Sequence, residues 1–170
     1  MLKSKLMPTV VLSAICLYAV AILAVVNIFT APAIKKNQEE KTRQALLEVM
    51  PDGGSFEKID DISGLPEEIV EAYASQNGGY VFKMEVKGYK TGLVVICGVD
   101  QNGNITGTKH IESSETLGAE SKIAGSFVGK NILNYSSVDT ITGATLTCNG
   151  YKQAIGAALQ AHEIMTGGGK

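Results

Sequence analysis

Residues 80–111 read YVFKMEVKGYKTGLVVICGVDQNGNITGTKHI, and this stretch decides the fold. Apolar and polar residues alternate over 80–86, which predicts a strand with one buried face. Residues 93–99 are nearly all apolar, as in a strand that is buried on both faces. The Asn-Gly pair at 102–103 is a strong hairpin signal, and it precedes a returning strand at 105–111. The stretch therefore predicts at least three consecutive antiparallel strands.

The flanking sequence adds helices and one further strand. Residues 146–165 carry apolar side chains at helical spacing and predict the longest helix after the strands. Shorter elements are predicted as a strand at 56–59, helices at 65–73 and 121–128, and an extended segment at 136–141. The sequence therefore predicts an α+β domain at 55–166, with an antiparallel sheet flanked by helices, and a flexible tail at 167–170.

The first part of the chain has the pattern of a membrane anchor. Residues 9–30 contain no charged side chain, and as a helix they would span roughly 32 Å, which matches a hydrocarbon core of about 30 Å. We expect a short tail at 1–7, a transmembrane helix at 8–30, and a membrane-proximal helix and linker at 31–54. A cleaved signal peptide is the alternative, but this apolar run is longer than the core of such peptides.

Charge excludes one class of partner and leaves the orientation open. The formal net charge of the 170-residue chain is −2, so the sequence gives no sign of a nucleic-acid-binding surface. Basic residues flank the apolar run on both sides, with Lys3 and Lys5 before it and a larger group at 35–43 after it. The charge rule therefore does not decide which side of the membrane the domain occupies.

The sequence argues against a metal centre. The three cysteines, Cys16, Cys97 and Cys148, form no C-x-x-C pair, which excludes the usual zinc and iron–sulfur spacings. His110, Glu112 and Glu115 form a small polar cluster, but such residues at a strand end are more often solvated than metal-bound. We therefore expect no metal site.

The stretch DTITGATLT at 139–147 is the strongest functional signal. It places several hydroxyl groups and one glycine immediately before the longest predicted helix of the domain. The free N–H groups at a helix start bind phosphate, and a threonine hydroxyl there is a point at which a phosphate could be attached covalently. A plain helix cap is the structural alternative, because threonine is favoured at that position.

The core of this stretch, Thr142-Gly143-Ala144-Thr145, resembles the [Ser/Thr]-Gly-Ala-Thr flavinylation motif. In that motif the last threonine carries FMN through a phosphoester bond. The resemblance implies that Thr145 holds the flavin covalently. The adjacent cofactor-binding residues would then be Thr142, Gly143, Ala144, Leu146 and Thr147.

A second motif extends the resemblance to a family. The chain resembles the G subunit of the Rnf electron-transport complex and the related C subunit of the sodium-pumping NADH:quinone reductase. Their Glu-Thr-Pro-Gly-Leu-Gly loop is matched here at Glu115, Thr116 and Gly118, whereas Leu117, Ala119 and Glu120 replace its proline, leucine and second glycine. In the family this loop lies against the flavin. The resemblance therefore implies cofactor contacts from Glu115, Thr116, Leu117 and Gly118.

The resemblance implies a membrane-bound electron carrier. Such a protein passes electrons within an ion-translocating ferredoxin:NAD oxidoreductase, together with other membrane and iron–sulfur subunits, and is not catalytic alone. A threonine hydroxyl is a poor nucleophile at neutral pH, so a separate flavin transferase is expected to attach the FMN. The family places the domain on the extracytoplasmic side of the cell membrane.

Three alternatives remain open at this point. The chain could be the FMN-carrying subunit of a Na⁺-translocating NADH:quinone reductase, although that subunit is usually longer. It could be an anchored non-redox adaptor of the same fold, which would carry no flavin. It could also be a stand-alone flavoprotein reductase, which would turn over without partner subunits. No nicotinamide-binding glycine fingerprint follows a strand, which argues against direct NADH oxidation.

A few other side chains are candidates for a role. Cys148 would lie in the first helical turn, where the pKa of a thiol can be lowered, and it could act in redox sensing or pair with Cys97. We expect instead that Cys148 and Cys97 are packing residues. Cys16 is expected to be inert in the membrane span. Three aromatic rings could stack on a flavin, namely those of Tyr80, Tyr89 and Tyr151. The expected role of each is nevertheless packing. Lys152 could pair with a phosphate or lie exposed on the helix.

Overall fold

The computed structural model of the chain describes residues 2–113 and 118–167, with side chains from residue 8 onward. It divides into two compact units, Met1–Lys41 and Thr42–Lys170. The helices are α1 (Leu2–Val49), α2 (Ala119–Ala124) and α3 (Thr145–Thr166). The strands are β1 (Phe56–Ile59), β2 (Ile69–Ser75), β3 (Tyr80–Val86), β4 (Leu93–Val99) and β5 (Ile105–Glu112). Short 3-10 turns occur at Pro51–Gly53, Gly125–Phe127 and Tyr135–Ser137.

The first unit is the membrane-anchor part of α1. Every side chain from residue 8 to residue 41 is exposed, although residues 9–30 are almost all apolar. An exposed apolar helix is unfavourable in water and stable in lipid, where its backbone groups bond one another. The helix is long and apolar enough to cross a membrane, which agrees with a single-pass anchor.

The second unit contains one antiparallel sheet with the strand order β1-β2-β3-β4-β5. Each strand pairs with its neighbour in sequence, so the sheet is a simple meander. The expected antiparallel sheet flanked by helices is thereby confirmed. The alternation in β3 is confirmed as well, since Phe82, Met84 and Val86 are buried in the main core.

Both faces of the sheet are covered. On one face, α2 and α3 pack on the sheet and form the main core. On the other face, the last two turns of α1 and the residue after them pack on Val81 and Ile96 through Leu46, Val49 and Met50. This second layer explains why β4 is apolar on both of its faces.

Three predicted elements differ from the structure. Residues 65–73 were expected to be helical, but residues from Ile69 onward form β2. A bulge between Ile69 and Glu71 breaks the alternation, so that Ile69, Ala72 and Ser75 are the buried positions and their spacing imitates a helix. The helix expected at 121–128 ends at Ala124 and continues as a 3-10 turn, and the segment expected to be extended at 136–141 begins in a 3-10 turn.

Candidate functional site

The hydroxyl motif lies in a tight turn that leads into α3. The amide of Ala144 donates to the carbonyl of Ile141 at 3.0 Å, so residues 141–144 close a four-residue turn. Gly143 occupies its third position with φ of 86°. Glycine is the residue that takes this conformation without steric cost, as in type II turns. The turn therefore presents Thr142 and Gly143 at its tip, and α3 begins at Thr145.

The side chain of Thr145 lies on the surface at the first residue of α3. Thr142, Gly143 and Leu146 are exposed as well, whereas Ala144 and Thr147 are buried. A Cβ atom built on Gly143 would meet no heavy atom within 4 Å, so the space beside the turn is open. The N-cap position of α3 is held by Ala144, which forms no side-chain capping hydrogen bond. Thr145 is thus exposed at the first helical residue and does not occupy the N-cap position that the structural alternative assigned to a threonine.

Cys148 fixes this turn to the core. Its sulfur is fully buried and accepts a hydrogen bond from the amide of Ile141 at 3.4 Å, while its own amide donates to Ala144 at 3.0 Å. All three cysteines are free, so Cys148 and Cys97 do not form a disulfide. Burial raises the pKa of the Cys97 thiol. The expectation that both thiols are packing residues is confirmed.

Gly150 brings a second element to the site. A Cβ at this position would lie 2.6 Å from the carbonyl oxygen of Lys87 and 3.0 Å from the Cα of Gly88. The β3–β4 loop therefore runs directly against the second turn of α3. Tyr89 in this loop is 62% exposed, and Leu146 is 60% exposed. The sequence does not identify the β3–β4 loop as the neighbour of Gly150, because the two lie about sixty residues apart along the chain.

The three candidate tyrosines have different surroundings. Tyr151 is fully buried, its hydroxyl shares a hydrogen bond with Thr108, and its ring stacks on Phe127 with centroids 5.7 Å apart. Burial raises the pKa of Tyr151, and the Thr108 hydrogen bond only partly opposes this. Tyr80 packs edgewise on His162 near the other end of α3. Tyr89, in the loop that packs on Gly150, is therefore the candidate whose ring is exposed.

Lys152 is engaged with the neighbouring loop. Its Nζ donates to the carbonyl oxygen of Ser136 at 3.3 Å. It is partly buried against that loop, so it serves to hold the segment that precedes the hydroxyl turn. The proposed pairing of Lys152 with a phosphate finds no support in this contact.

The second motif lies mostly outside the described residues. Of its four predicted contact residues, Glu115, Thr116 and Leu117 are not among them, and Gly118 precedes α2 with φ of 60°. The residues on either side of this motif are connected by a hydrogen bond, in which Ser113 Oγ donates to Glu120 Oε1 at 3.0 Å. The cofactor contacts expected from this motif stay a prediction.

Glu120 is an acidic residue whose burial the sequence does not predict. It is 5% exposed, and its Oε2 atom has no hydrogen-bond partner in the described part of the chain. His110 Nδ1 is in the same situation on β5. Within residues 2–113 and 118–167, no three acidic, histidine or cysteine side chains come close enough to hold a metal ion. No local pattern signals the burial of Glu120, since it depends on α2 packing on β5.

The turn at the start of α3 fits a covalently attached phosphate group. An exposed hydroxyl stands at the N-terminus of a 22-residue helix, where the macrodipole favours negative charge. Open space adjoins Gly143, so a bulky substituent on Thr145 meets no obstacle from that side. The acidic residue nearest in sequence, Asp139, is exposed and is not part of the turn.

Two family models match the chain. The one described as an FMN-binding domain matches residues 88–160, and the one described as the RnfG N-terminal region matches residues 1–49. The first match contains the β3–β4 loop, the hydroxyl turn and most of α3. The second covers α1. The resemblance inferred from two short motifs is thereby confirmed over both parts of the chain.

Relatives of known function match nearly the whole length. The G subunit of the Na⁺-translocating ferredoxin:NAD⁺ oxidoreductase complex of Acetobacterium woodii is 28% identical over 92% of this chain and 90% of its own length. The G subunit of an ion-translocating oxidoreductase complex of Methanosarcina acetivorans is 27% identical over 88% of each chain. The G subunit of the proton-translocating ferredoxin:NAD⁺ oxidoreductase complex of Clostridium ljungdahlii is 23% identical over 90% of this chain and 89% of its own length.

Proposed function

We propose that the chain is a G subunit of the Rnf family, the FMN-carrying electron-transfer subunit of a membrane-bound, ion-translocating ferredoxin:NAD oxidoreductase, because both family models and the curated relatives agree with this assignment. The FMN is bound covalently, through a phosphoester to the side-chain oxygen of Thr145. The other Rnf-type membrane and iron–sulfur subunits are its partners, and the FMN-binding domain lies on the extracytoplasmic side.

One observation carries this proposal more than any other. The hydroxyl of Thr145 is exposed at the first residue of the longest helix of the domain, behind a glycine turn with open space beside it. A helix-capping threonine would instead turn its oxygen back to the amides of the first turn. The motif residue that the family modifies is therefore accessible in this chain, and unlike Thr142, which is also exposed, it stands at the first residue of the helix.

The residues of the turn have separate roles in holding the group. The Thr145 oxygen forms the ester, and the positive end of the α3 dipole stabilises the negative charge that the phosphodiester retains. Gly143 leaves room beside the ester, and Leu146 supplies an exposed apolar side chain next to it. Bound FMN would supply the one- and two-electron chemistry, whereas the protein fixes its position along the relay.

Attachment requires a second protein. A threonine hydroxyl ionises far above neutral pH and needs a base or a metal to act as a nucleophile. The described part of the chain holds no group of acidic, histidine or cysteine residues that could bind such a metal. An exposed turn that contains glycine can be bound in the active site of another enzyme. We therefore assign the attachment step to a separate flavin transferase.

The proposal is tested by in-gel fluorescence of the denatured chain. The full-length protein is co-expressed with a flavin transferase, denatured and separated by electrophoresis, because only covalent flavin survives this treatment. We expect a fluorescent band for the wild type and for Thr142→Ala, and no band for Thr145→Ala. Thr142→Ala is the matched control, since its hydroxyl is also exposed and lies in the same turn.

Two outcomes would contradict the assignment. A band that persists in Thr145→Ala and disappears in Thr142→Ala or Thr147→Ala moves the attachment point. A wild-type chain without a band, although the transferase modifies another substrate in the same cells, favours the non-redox adaptor.

A further inference from the structure

A cavity lies near the opposite end of α3 from the hydroxyl turn. It has a volume of about 340 Å³ and is lined by the β4–β5 turn, the loop at 131–133 and the C-terminal turns of α3. Its lining includes His162 and Glu163. At ~1.5 Å per residue, His162 lies about 25 Å along the helix from Thr145, so the cavity is separate from the site described above.

His162 is a desolvated polar side chain in this cavity. The residue is 6% exposed, and its Nε2 atom is buried without a hydrogen-bond partner in the described part of the chain. The Nδ1–Cε1 edge of the ring faces Gly103, whose Cβ position would lie 3.8 and 3.7 Å from these two atoms. Tyr80 packs edgewise on the ring with centroids 6.0 Å apart. Buried polar atoms without partners are rare in folded proteins and call for an explanation.

The cavity is rich in hydrogen-bond acceptors and carries one negative charge. Glu163 is the charged side chain in its lining, and it forms no ion pair with any residue that the structure describes. Amide side chains of Asn102 and Asn131 also line it, together with the apolar Ile132 and Leu159. A cationic group with a hydrocarbon stem, such as an arginine or lysine side chain, matches this combination of charge and apolar surface.

Leu133 projects beside the cavity as an exposed apolar side chain. It is 87% exposed, which is the highest value among the large apolar side chains described in the second unit. Hydrogen bonds hold its loop in place, since Leu133 N donates to Asn131 Oδ1 at 3.1 Å and Asn131 N donates to Asn134 Oδ1 at 2.8 Å. An exposed leucine in an ordered loop next to a cavity is typical of a protein–protein interface. There an apolar side chain of one protein enters a pocket of its partner, and a neighbouring cavity receives a side chain from that partner.

We propose that this cavity and Leu133 form the docking surface for an extramembrane loop of another subunit of the complex, which inserts an arginine or lysine side chain. The stem of that side chain packs on Ile132 and Leu159, and its charged head pairs with Glu163. Leu133 enters an apolar pocket of the same partner. This inference rests on the proposed function, because the partner is a subunit of the assembly.

The separation of the two sites has a functional consequence. A partner held at the C-terminal end of α3 leaves the hydroxyl turn at the N-terminal end uncovered. The flavin on Thr145 can then face a redox partner while the domain stays fixed. A small free cation would need Glu163 but would gain nothing from Leu133, and for this reason we favour a protein partner.

The test measures assembly of the full-length chain in its membrane. The chain is co-expressed with the other Rnf-type subunits, and the complex is purified in mild detergent through a tag on another subunit. We expect Glu163→Lys and Leu133→Asp each to reduce the recovered chain about tenfold or more, the scale of an interface hot spot. The matched controls are Glu57→Lys and Val70→Asp, which make the same changes at exposed positions on β1 and β2.

Folding and flavin attachment are followed in the same variants. The thermal unfolding midpoint and the in-gel flavin fluorescence of Glu163→Lys and Leu133→Asp are expected to equal those of the wild type. Loss of flavin with normal assembly would contradict the proposed function alone. Normal flavin with assembly lost only in the two test variants supports the docking surface.

A photocrosslinking residue at position 133 provides a second measurement that does not depend on the folding of a charge variant. We expect an adduct with one other subunit, and weaker crosslinking in a background of Glu163→Lys. Recovery of both test variants within twofold of the controls would overturn the inference. An adduct with a second copy of this chain, or no adduct at all in the assembled complex, would overturn it as well.

Discussion

At the residue scale, the start of α3 depends on two glycines that act differently. Gly143 provides the left-handed conformation that turns the chain into the helix, and its surroundings are open. Gly150 has crowded surroundings, because the backbone of the β3–β4 loop occupies the place of a side chain. The first glycine exposes Thr145, and the second holds the Tyr89 loop beside the first turns of the helix.

Gly150→Ala is expected to destabilise the protein by about 1–2 kcal/mol. The new Cβ would lie 2.6 Å from the Lys87 carbonyl oxygen, and backbone atoms cannot rotate away from it. Alanine favours a helix by about 1 kcal/mol over glycine, but a clash with fixed backbone lies in the upper part of the range for overpacking, about 2–3 kcal/mol, and separates the loop from the helix. Urea unfolding followed by far-ultraviolet circular dichroism gives the change in the free energy of unfolding.

Gly125→Ala is the matched control for this substitution. Gly125 has an ordinary φ of −61°, and a Cβ built on it meets no heavy atom within 4 Å. Its effect should stay within about 0.5 kcal/mol. A Gly150→Ala protein as stable as the wild type would show that the β3–β4 loop does not pack closely on α3.

Single residues of the site were predicted to different degrees. The sequence predicted a helix from Leu146 onward, and the structure begins α3 one residue earlier, at Thr145, because the motif and the helical spacing locate the helix start locally. The burial of Glu120 could not be predicted, since it is covered by segments distant in sequence. Tyr151 and Tyr89 were equal candidates in the sequence, and only the packing of α3 on the sheet distinguishes the buried ring from the exposed one.

At the element scale, three strands are tied together by one carboxylate. Glu71 on β2 accepts hydrogen bonds from Lys58 on β1 at 2.9 Å and from Lys83 on β3 at 3.2 Å. The Tyr73 hydroxyl donates to it as well, at 2.8 Å. Partial burial raises the pKa of Glu71, but these three hydrogen bonds together outweigh burial, so the pKa lies below its ordinary value of 4.5.

Glu71→Gln is expected to make the protein less sensitive to acid. A carboxyl whose pKa is lowered by folding stabilises the folded state above its unfolded pKa, and this stabilisation is lost as the pH falls through the folded pKa. The wild-type unfolding midpoint should therefore fall more steeply than that of Glu71→Gln between about pH 5 and pH 3. At pH 7 the substitution should cost at most about 1 kcal/mol, because the ion pairs are partly exposed.

Thermal unfolding at a series of pH values checks this prediction. Glu57→Gln, on the exposed edge of β1, is the control for removal of a carboxylate without such partners and should follow the wild-type profile. Parallel profiles for Glu71→Gln and the wild type would show that Glu71 does not tie the strands together.

The elements were predicted best where local pattern and burial coincide. Strands β3, β4 and β5 were predicted from alternation, an apolar run and a turn pair, and helix α3 from its spacing. β2 was mistaken in part for a helix because its bulge places buried residues three apart. A bulge depends on pairing with β1 and β3, which no local window contains.

At the scale of the whole molecule, α1 serves both units. Its first part is an exposed apolar helix, and its last turns cover one face of the sheet. Gly98 and Gly107 permit this, because Cβ atoms there would lie 3.0 and 2.6 Å from the carbonyl oxygen of Val49. The sequence predicted that β4 is buried on both faces, but it could not reveal that the end of the anchor helix supplies the second layer.

The central claim is that this anchored domain carries FMN on a single threonine. Mass spectrometry of the full-length chain from native membranes, in cells with an active flavin transferase, tests it most directly. The account predicts that the peptide containing Thr145 carries the added mass of FMN less one water, with fragments that place it on Thr145. A peptide recovered without this mass, from membranes in which the other Rnf-type subunits are assembled, would contradict the account.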